Sequence, residues 1–118
     1  MNQTERTRAF IQDYFDALND GRVQDISIAE DCTYSGSMLS ESMNDAALIR
    51  EHITQIAPFV ARFEVVRTIV EANNGAVIVR LHGIRSTVVE GAVFFRVEDG
   101  RLKSVDNLFD TRQLLKGS

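Results

Sequence analysis

Apolar residues recur at helical spacing near the start of the chain. In ERTRAFIQDYFDALNDG, Phe10, Ile11, Tyr14, Phe15 and Leu18 share one face, and Gly21 supplies a C-terminal stop. The pattern predicts an amphipathic helix with Tyr14 on its buried side. A short helical segment is expected over RVQDISIAED, followed by a brief strand in CTYSGSM. Helical spacing returns in SMNDAALIREHITQIAPF through Ile49, Ile53, Ile56 and Ala57, with Ser42 or Asn44 as the cap and Pro58 as the terminator.

Beyond residue 61 the period changes to that of β-structure. RFEVVRTIVEA, AVIVRLHGIRS, TVVEGAVFFRVE and RLKSVDNLFD read as four strands of a meander, with turns at NNG and DG. No repeat, linker or low-complexity segment interrupts the series, so the predicted fold class is α+β, with helices packed on one face of a curved antiparallel sheet. Both sheet faces carry apolar residues. Val77, Val79 and Leu81 back the row Ala76, Ile78, Arg80, His82 and Ile84, while Ala92 and Phe94 back Val93 and Phe95. The helices can cover only one side, so a second copy is expected on the other, as a two-fold homodimer through the outer sheet face.

Arg80 and His82 stand out in this pattern because they occupy the middle of an apolar row. Burying an unpaired guanidinium is costly. Arg80 therefore needs a carboxylate such as Asp13, Asp16 or Glu71, a water-filled pocket, or bulk solvent.

With 118 residues, 44% of them hydrophobic, residues 1–118 can form one domain with a core that needs neither disulfide nor metal. Cys32 is the sole cysteine and reads as an ordinary strand residue in a reducing compartment. A net charge of −4, with no Lys/Arg cluster, argues against nucleic acid as a partner. The opening MNQTERTRAF lacks the apolar run of a signal peptide, and no window approaches a membrane span. The expectation is a cytoplasmic protein with no membrane partner, bound to a small hydrophobic molecule and dependent on no cofactor or metal.

The order of elements, together with YFDALND, AEDCTY, VRLH and DGRLKSVDNLFDTRQLL, resembles the nuclear transport factor 2-like superfamily. Its members include SnoaL-like polyketide cyclases, ketosteroid isomerase and limonene epoxide hydrolase. The resemblance implies a cystatin-like cone whose sheet and helices enclose a cavity. Against limonene epoxide hydrolase, Tyr34 matches a water-positioning tyrosine and Arg80 the arginine of an Asp-Arg-Asp set. Gly36 stands where an asparagine is expected, and His82 and Asn107 stand where the two aspartates are expected. Against ketosteroid isomerase, Tyr14 stands to Gly21 as the oxyanion-hole tyrosine stands to its glycine. There Gly36 replaces the general base and Val93 the protonated aspartate.

Loss of those carboxylates removes the proton donor and acceptor of both mechanisms. The resemblance then points to His82 as acid/base, to Arg80 with Tyr14 and Tyr34 as oxyanion donors, and to Asn107 as an orienting group. Phe15, Leu18, Val89, Gly91, Val93, Phe95, Phe109 and Leu114 are the expected walls of the cavity. His52 lies between Ile49 and Ile56, a spacing that lets it reach the cavity, but its expected place is the helix surface. Asp106 is expected to face away from the cavity and Asp110 to cap a terminal turn. The function implied is a cofactor-independent isomerase, lyase, cyclase or hydrolase acting on a small hydrophobic substrate. The alternative is a non-catalytic binding or dimerisation module.

Overall fold

The computed structural model describes residues 2–37, 39–83 and 87–109. Helix α1 spans Gln3–Asp20 and buries Ile11, Tyr14, Phe15 and Leu18, the stripe that the spacing predicts. Asn2 caps its start by accepting from the Glu5 N–H, and Gly21, at φ 73°, turns the chain out of the helix. A single 3-10 turn, Val23–Asp25, follows.

Strand β1 then runs Ile28–Gly36, so only Val23–Asp25 of the segment expected to be helical forms a helical turn and its last four residues are extended. Ile28 and Cys32, both buried there, anchor it to the core. Helix α2 spans Ala46–Ile56 and is capped by Asp45, whose carboxylate accepts from the Leu48 N–H, rather than by Ser42 or Asn44. Its Arg50 reaches back to donate to the carbonyls of Val23 and Ile26, at 2.7 and 2.9 Å, which ties α2 to the turn after α1.

Strands β2 (Val60–Glu71), β3 (Asn74–Gly83), β4 (Val88–Glu98) and β5 (Arg101–Leu108) form the antiparallel meander. β1 adds to the free side of β5 in parallel, giving the order β1-β5-β4-β3-β2. The Asp99-Gly100 turn has positive φ at both residues, as a tight hairpin requires. The β2–β3 turn falls one step earlier than the NNG motif suggests. Glu71 pairs with Asn74, which leaves Ala72 and Asn73 in the turn, Ala72 at φ 51°. Two threonines of α1 hold it there: Thr4 Oγ1 accepts from the Ala72 N–H, and the fully buried Thr7 donates to the Ala72 carbonyl. Gly75 serves a different need, because a Cβ there would stand 2.4 Å from Ile11 Cδ1, where helix and sheet meet.

The core lies between the helices and the inner sheet face, where Val77, Val79 and Leu81 of β3 meet Val89, Val93 and Phe95 of β4. α1 packs on β2, β3 and β4, and α2 packs on β1. The outer face has no helix against it among the described residues. Ile69, Phe94 and Leu108 are exposed there by 61%, 46% and 45%.

Candidate functional site

Between α1, α2 and the inner sheet face lies a cavity of about 260 Å³. Its aromatic back wall is built from α1 and β4. Tyr14 stands edge-on to Phe15 and Phe95, with ring centroids 5.1 and 5.2 Å away. Leu81, Val93 and Phe63 add apolar surface from the sheet, and Ile53 and Ile56 add it from α2. Phe109 closes one end. It can do so because position 91 is glycine: a Cβ there would lie 2.3 Å from the Phe109 ring.

Among the described residues, five polar side chains line the cavity: Tyr14, Tyr34, Ser37, His52 and Asn107. Tyr34 and Asn107 come from the neighbouring strands β1 and β5, where Gly36 pairs with Asn107. A Cβ at Gly36 would crowd Asn107 Cβ and its carbonyl at 3.2 Å, so the missing side chain leaves space for the amide. Asn107 Nδ2 donates to the Ser35 carbonyl at 3.0 Å. His52 stands edge-on to Tyr34, with ring centroids 5.4 Å apart.

The electrostatics of the site keep these groups neutral. Burial pushes the Tyr34 phenol up to about 12, against an opposing pull from the Asn107 amide. Tyr14 is raised well above its usual value by burial, then by the nearby Tyr34 and Cys32. Cys32, fully buried on β1, is raised to about 11 by burial, which makes it a poor nucleophile. His52 is lowered by burial, so its neutral form is favoured. The Tyr14 hydroxyl makes no hydrogen bond to a described residue. The Tyr14 side chain lines the cavity.

Arg80 and His82 are not in the cavity, which corrects the expectation for both. β3 pairs Leu81 with Val89 and Arg80 with Glu90, so odd positions face inward and even positions outward. Arg80 Nε donates to Glu90 at 3.0 Å and its guanidinium lies 3.9 Å from Glu64, so its partners come from flanking strands and not from Asp13, Asp16 or Glu71. His82 Nε2 lies 2.7 Å from Glu64 Oε1 and 3.2 Å from Arg62 Nη2. A carboxylate at that distance requires the hydrogen on Nε2, so Arg62 flanks the contact. The pair thus belongs to an ionic cluster on the outer face.

Tyr14, Phe15, Leu18, Tyr34, Val93, Asn107 and Phe109 line the cavity as expected. Val89, Gly91 and Phe95 lie on the inner face behind that lining: Phe95 backs Tyr14, and Gly91 sits beneath Phe109. Leu114 and Asp110 lie outside the described residues. Asp106 faces outward opposite Phe94 and accepts from the Ser35 hydroxyl. His52 is the residue that sequence reasoning misplaced. It lies three positions after Ile49 and four before Ile56, and that spacing puts it beside the buried stripe. Among the described residues no cluster of His, Cys, Asp or Glu has the makings of a metal site, and no helix is long and apolar enough to cross a membrane.

Two helices on a five-strand, mostly antiparallel sheet, with an apolar cavity between them, make an α+β fold of cystatin-like type. Residues 11–105 match the SnoaL-like domain family, and the chain belongs to it, within the nuclear transport factor 2-like superfamily. Among solved structures, a candidate ketosteroid isomerase from Kribbella flavida DSM 17836 superposes with a TM-score of 0.81 at 29% identity, over 92% of this chain and 81% of that one. A nuclear transport factor 2-like protein of unknown function from Mesorhizobium loti gives 0.82 at 19% identity, over 93% and 95%. An LEH-like epoxide hydrolase from M. tuberculosis gives 0.81 at 14% identity, over 99% and 87%. The last two show the fold alone. No curated protein matches the chain.

Proposed function

We propose that the cavity binds a small hydrophobic molecule and that His52 moves a proton on it, with the Tyr14 and Tyr34 hydroxyls as hydrogen-bond donors. The reaction would be of isomerase or hydrolase type, carried by side chains alone. The supporting observation is the edge contact between His52 and Tyr34 on the wall of an otherwise apolar cavity. A neutral imidazole offers a lone pair to a substrate proton, and a phenol held protonated can steady the oxygen on which charge develops. Likeness to a candidate ketosteroid isomerase and to an epoxide hydrolase agrees with proton-transfer chemistry in this fold.

The test uses ketones and epoxides of about the cavity's size, incubated in heavy water with the wild type and with His52→Gln. Deuterium uptake beside the carbonyl, or epoxide opening, is followed by NMR and mass spectrometry. Wild-type turnover should fall by a factor of about 10² to 10⁴ in the variant, the usual worth of general acid–base catalysis. Ligands that bind but neither exchange nor convert would overturn this reading and leave a binding module. One observation favours that second reading: no carboxylate is among the described lining residues.

A second copy of the chain covers the outer sheet face in this reading. Arg62, Glu64, Arg80, His82 and Glu90 satisfy one another within one copy. The apolar residues Ile69, Phe94 and Leu108 are left to meet their counterparts across a two-fold axis.

A further inference from the structure

We infer that the outer edge of β2 is a pairing surface for a second copy of this chain, and that Asn19 and Arg8 of α1 hold it closed. The edge lies apart from the cavity and from the outer sheet face, so this stands whatever either of them binds.

β2 is the last strand in the sheet order, with β3 on one side and no strand on the other among the described residues. Backbone groups on that other side are met by side chains of α1. Asn19 Oδ1 accepts from the Phe63 N–H at 2.7 Å, and Asn19 Nδ2 donates to the Phe63 carbonyl at 3.0 Å. One side-chain amide thus makes both bonds that a residue of a neighbouring antiparallel strand would exchange with Phe63. Arg8 Nη1 donates to the Thr68 carbonyl at 3.4 Å, and Thr4 accepts from the Ala72 N–H at 3.0 Å. Thr4, Arg8 and Asn19 fall on one side of the helix, so α1 follows the edge from Ala72 to Phe63.

The strand itself decides which occupant these side chains exclude. Val65, Val66, Thr68, Ile69 and Val70 are β-branched, and Val66 and Ile69 are exposed. A strand of this composition with an open edge is a template for pairing. Its register is also self-complementary. A second copy laid antiparallel about a two-fold axis between Val65 and Val66 sets Phe63 opposite Thr68 and Glu64 opposite Arg67. Phe63 and Thr68 both turn backbone groups to the edge, because the register shift between Val65 and Arg67 compensates for their odd spacing. Glu64 and Arg67 share the outer face, so each copy would set its carboxylate against the other's guanidinium. The groups that Asn19 and Arg8 occupy are therefore those that two copies would offer each other.

The experiment compares the full chain with Asn19→Ala/Arg8→Ala by sedimentation velocity at neutral pH over a range of protein concentrations. Both positions are exposed and alanine is the better helix former, so the variant should fold, which far-UV circular dichroism checks. It should form species of at least twice the wild-type mass, with an association constant at least about 10-fold higher, since the edges no longer give up bonds to α1 when they meet. Adding Arg67→Glu, which sets carboxylate against carboxylate in this register, should lower that constant about 3- to 10-fold. Should the double variant lose its helical spectrum, Asn19→Ser carries the same test, because one hydroxyl cannot serve both groups of Phe63. A folded variant that keeps the wild-type mass at every concentration overturns the inference. So does added association that Arg67→Glu leaves undiminished, which would be contact through another surface.

Discussion

Replacing Gly91 by alanine tests how the cavity is closed. The new Cβ would stand 2.3 Å from Phe109 Cδ1 and 2.4 Å from the Leu108 carbonyl oxygen. The ring can swing away, but the carbonyl belongs to the end of β5, where Leu108 pairs with Ala92. The strand itself must therefore shift. Overpacking of this kind costs about 1–3 kcal/mol, and removing a glycine from a strand interior returns roughly 0.5–1 kcal/mol of backbone entropy. The net loss should be about 1–2 kcal/mol. For a chain of this length, unfolding entropy of about 2.1 cal/mol/K per residue converts that into a fall of roughly 4–8 °C in Tm.

Gly75→Ala is the control. Its Cβ would meet Ile11 Cδ1 at 2.4 Å, the far end of a flexible side chain. An off-rotamer shift of that group costs about 0.5–1.5 kcal/mol, which the same entropy term largely offsets. The chain has no tryptophan, so far-UV circular dichroism would follow both thermal and urea unfolding at fixed protein concentration. Adding Phe109→Ala to Gly91→Ala should restore only part of the loss, because the carbonyl contact persists, and the double-mutant cycle reads the ring's share. Melting of Gly91→Ala within about 1 °C of wild type, or a larger loss from Gly75→Ala, would refute the reasoning.

Two further predictions concern the outer face. Glu64 is held below the usual carboxylate range, first by its hydrogen bond with His82 and then by Arg62 and Arg80. A lowered folded pKa stabilises the protein above the unfolded value, and this is lost as pH falls through the folded one. The stability gap between wild type and Glu64→Gln, measured in urea at constant protein concentration, should therefore be present at pH 7 and shrink below about pH 4.5. A gap that grows on acidification would contradict the assignment. Phe94→Asp places a charge in the exposed apolar row and should shift light-scattering mass from dimer to monomer with the far-UV spectrum unchanged. A wild type that is monomeric at high concentration would rule out the two-fold contact.

Much of the fold is legible where one local signal acts alone. The stripe of α1 and the Asp99-Gly100 turn each have a single physical reading, and both appear as expected. The inner row of β4, Val89, Val93 and Phe95, is also read correctly. The facing of β3 is harder, because Ala76 and Ile78 on one side look as apolar as Val77 and Val79 on the other. What decides it is cross-strand: Glu64 and Glu90 flank Arg80, so the charged row pairs outside. Alternation in β2 would not have revealed this, since a register shift between Val65 and Arg67 puts Glu64 and Arg67 on the same face despite their odd spacing. The candidate site was half legible. Tyr14, Tyr34 and Asn107, which the resemblance singles out, line the cavity, whereas His82, which it also singles out, faces outward with the even positions of β3. For His52 the spacing between Ile49 and Ile56 fits both the helix surface and the cavity edge, and packing of α2 against β1 decides for the cavity.

The parallel pairing of β1 with β5 has a kinetic consequence. Asn107 reaches the Ser35 carbonyl across 72 positions of sequence, whereas the hairpins of the meander close over a few residues. Contacts of such long range are slow to form, so the wall that holds Tyr34 and Asn107 assembles after the β2–β4 meander. A nascent chain without β5 lacks the buried Leu102 and Val105 of the core as well as the wall that carries Asn107. A ligand then recognises only the finished protein: it would slow unfolding while leaving the folding rate unchanged.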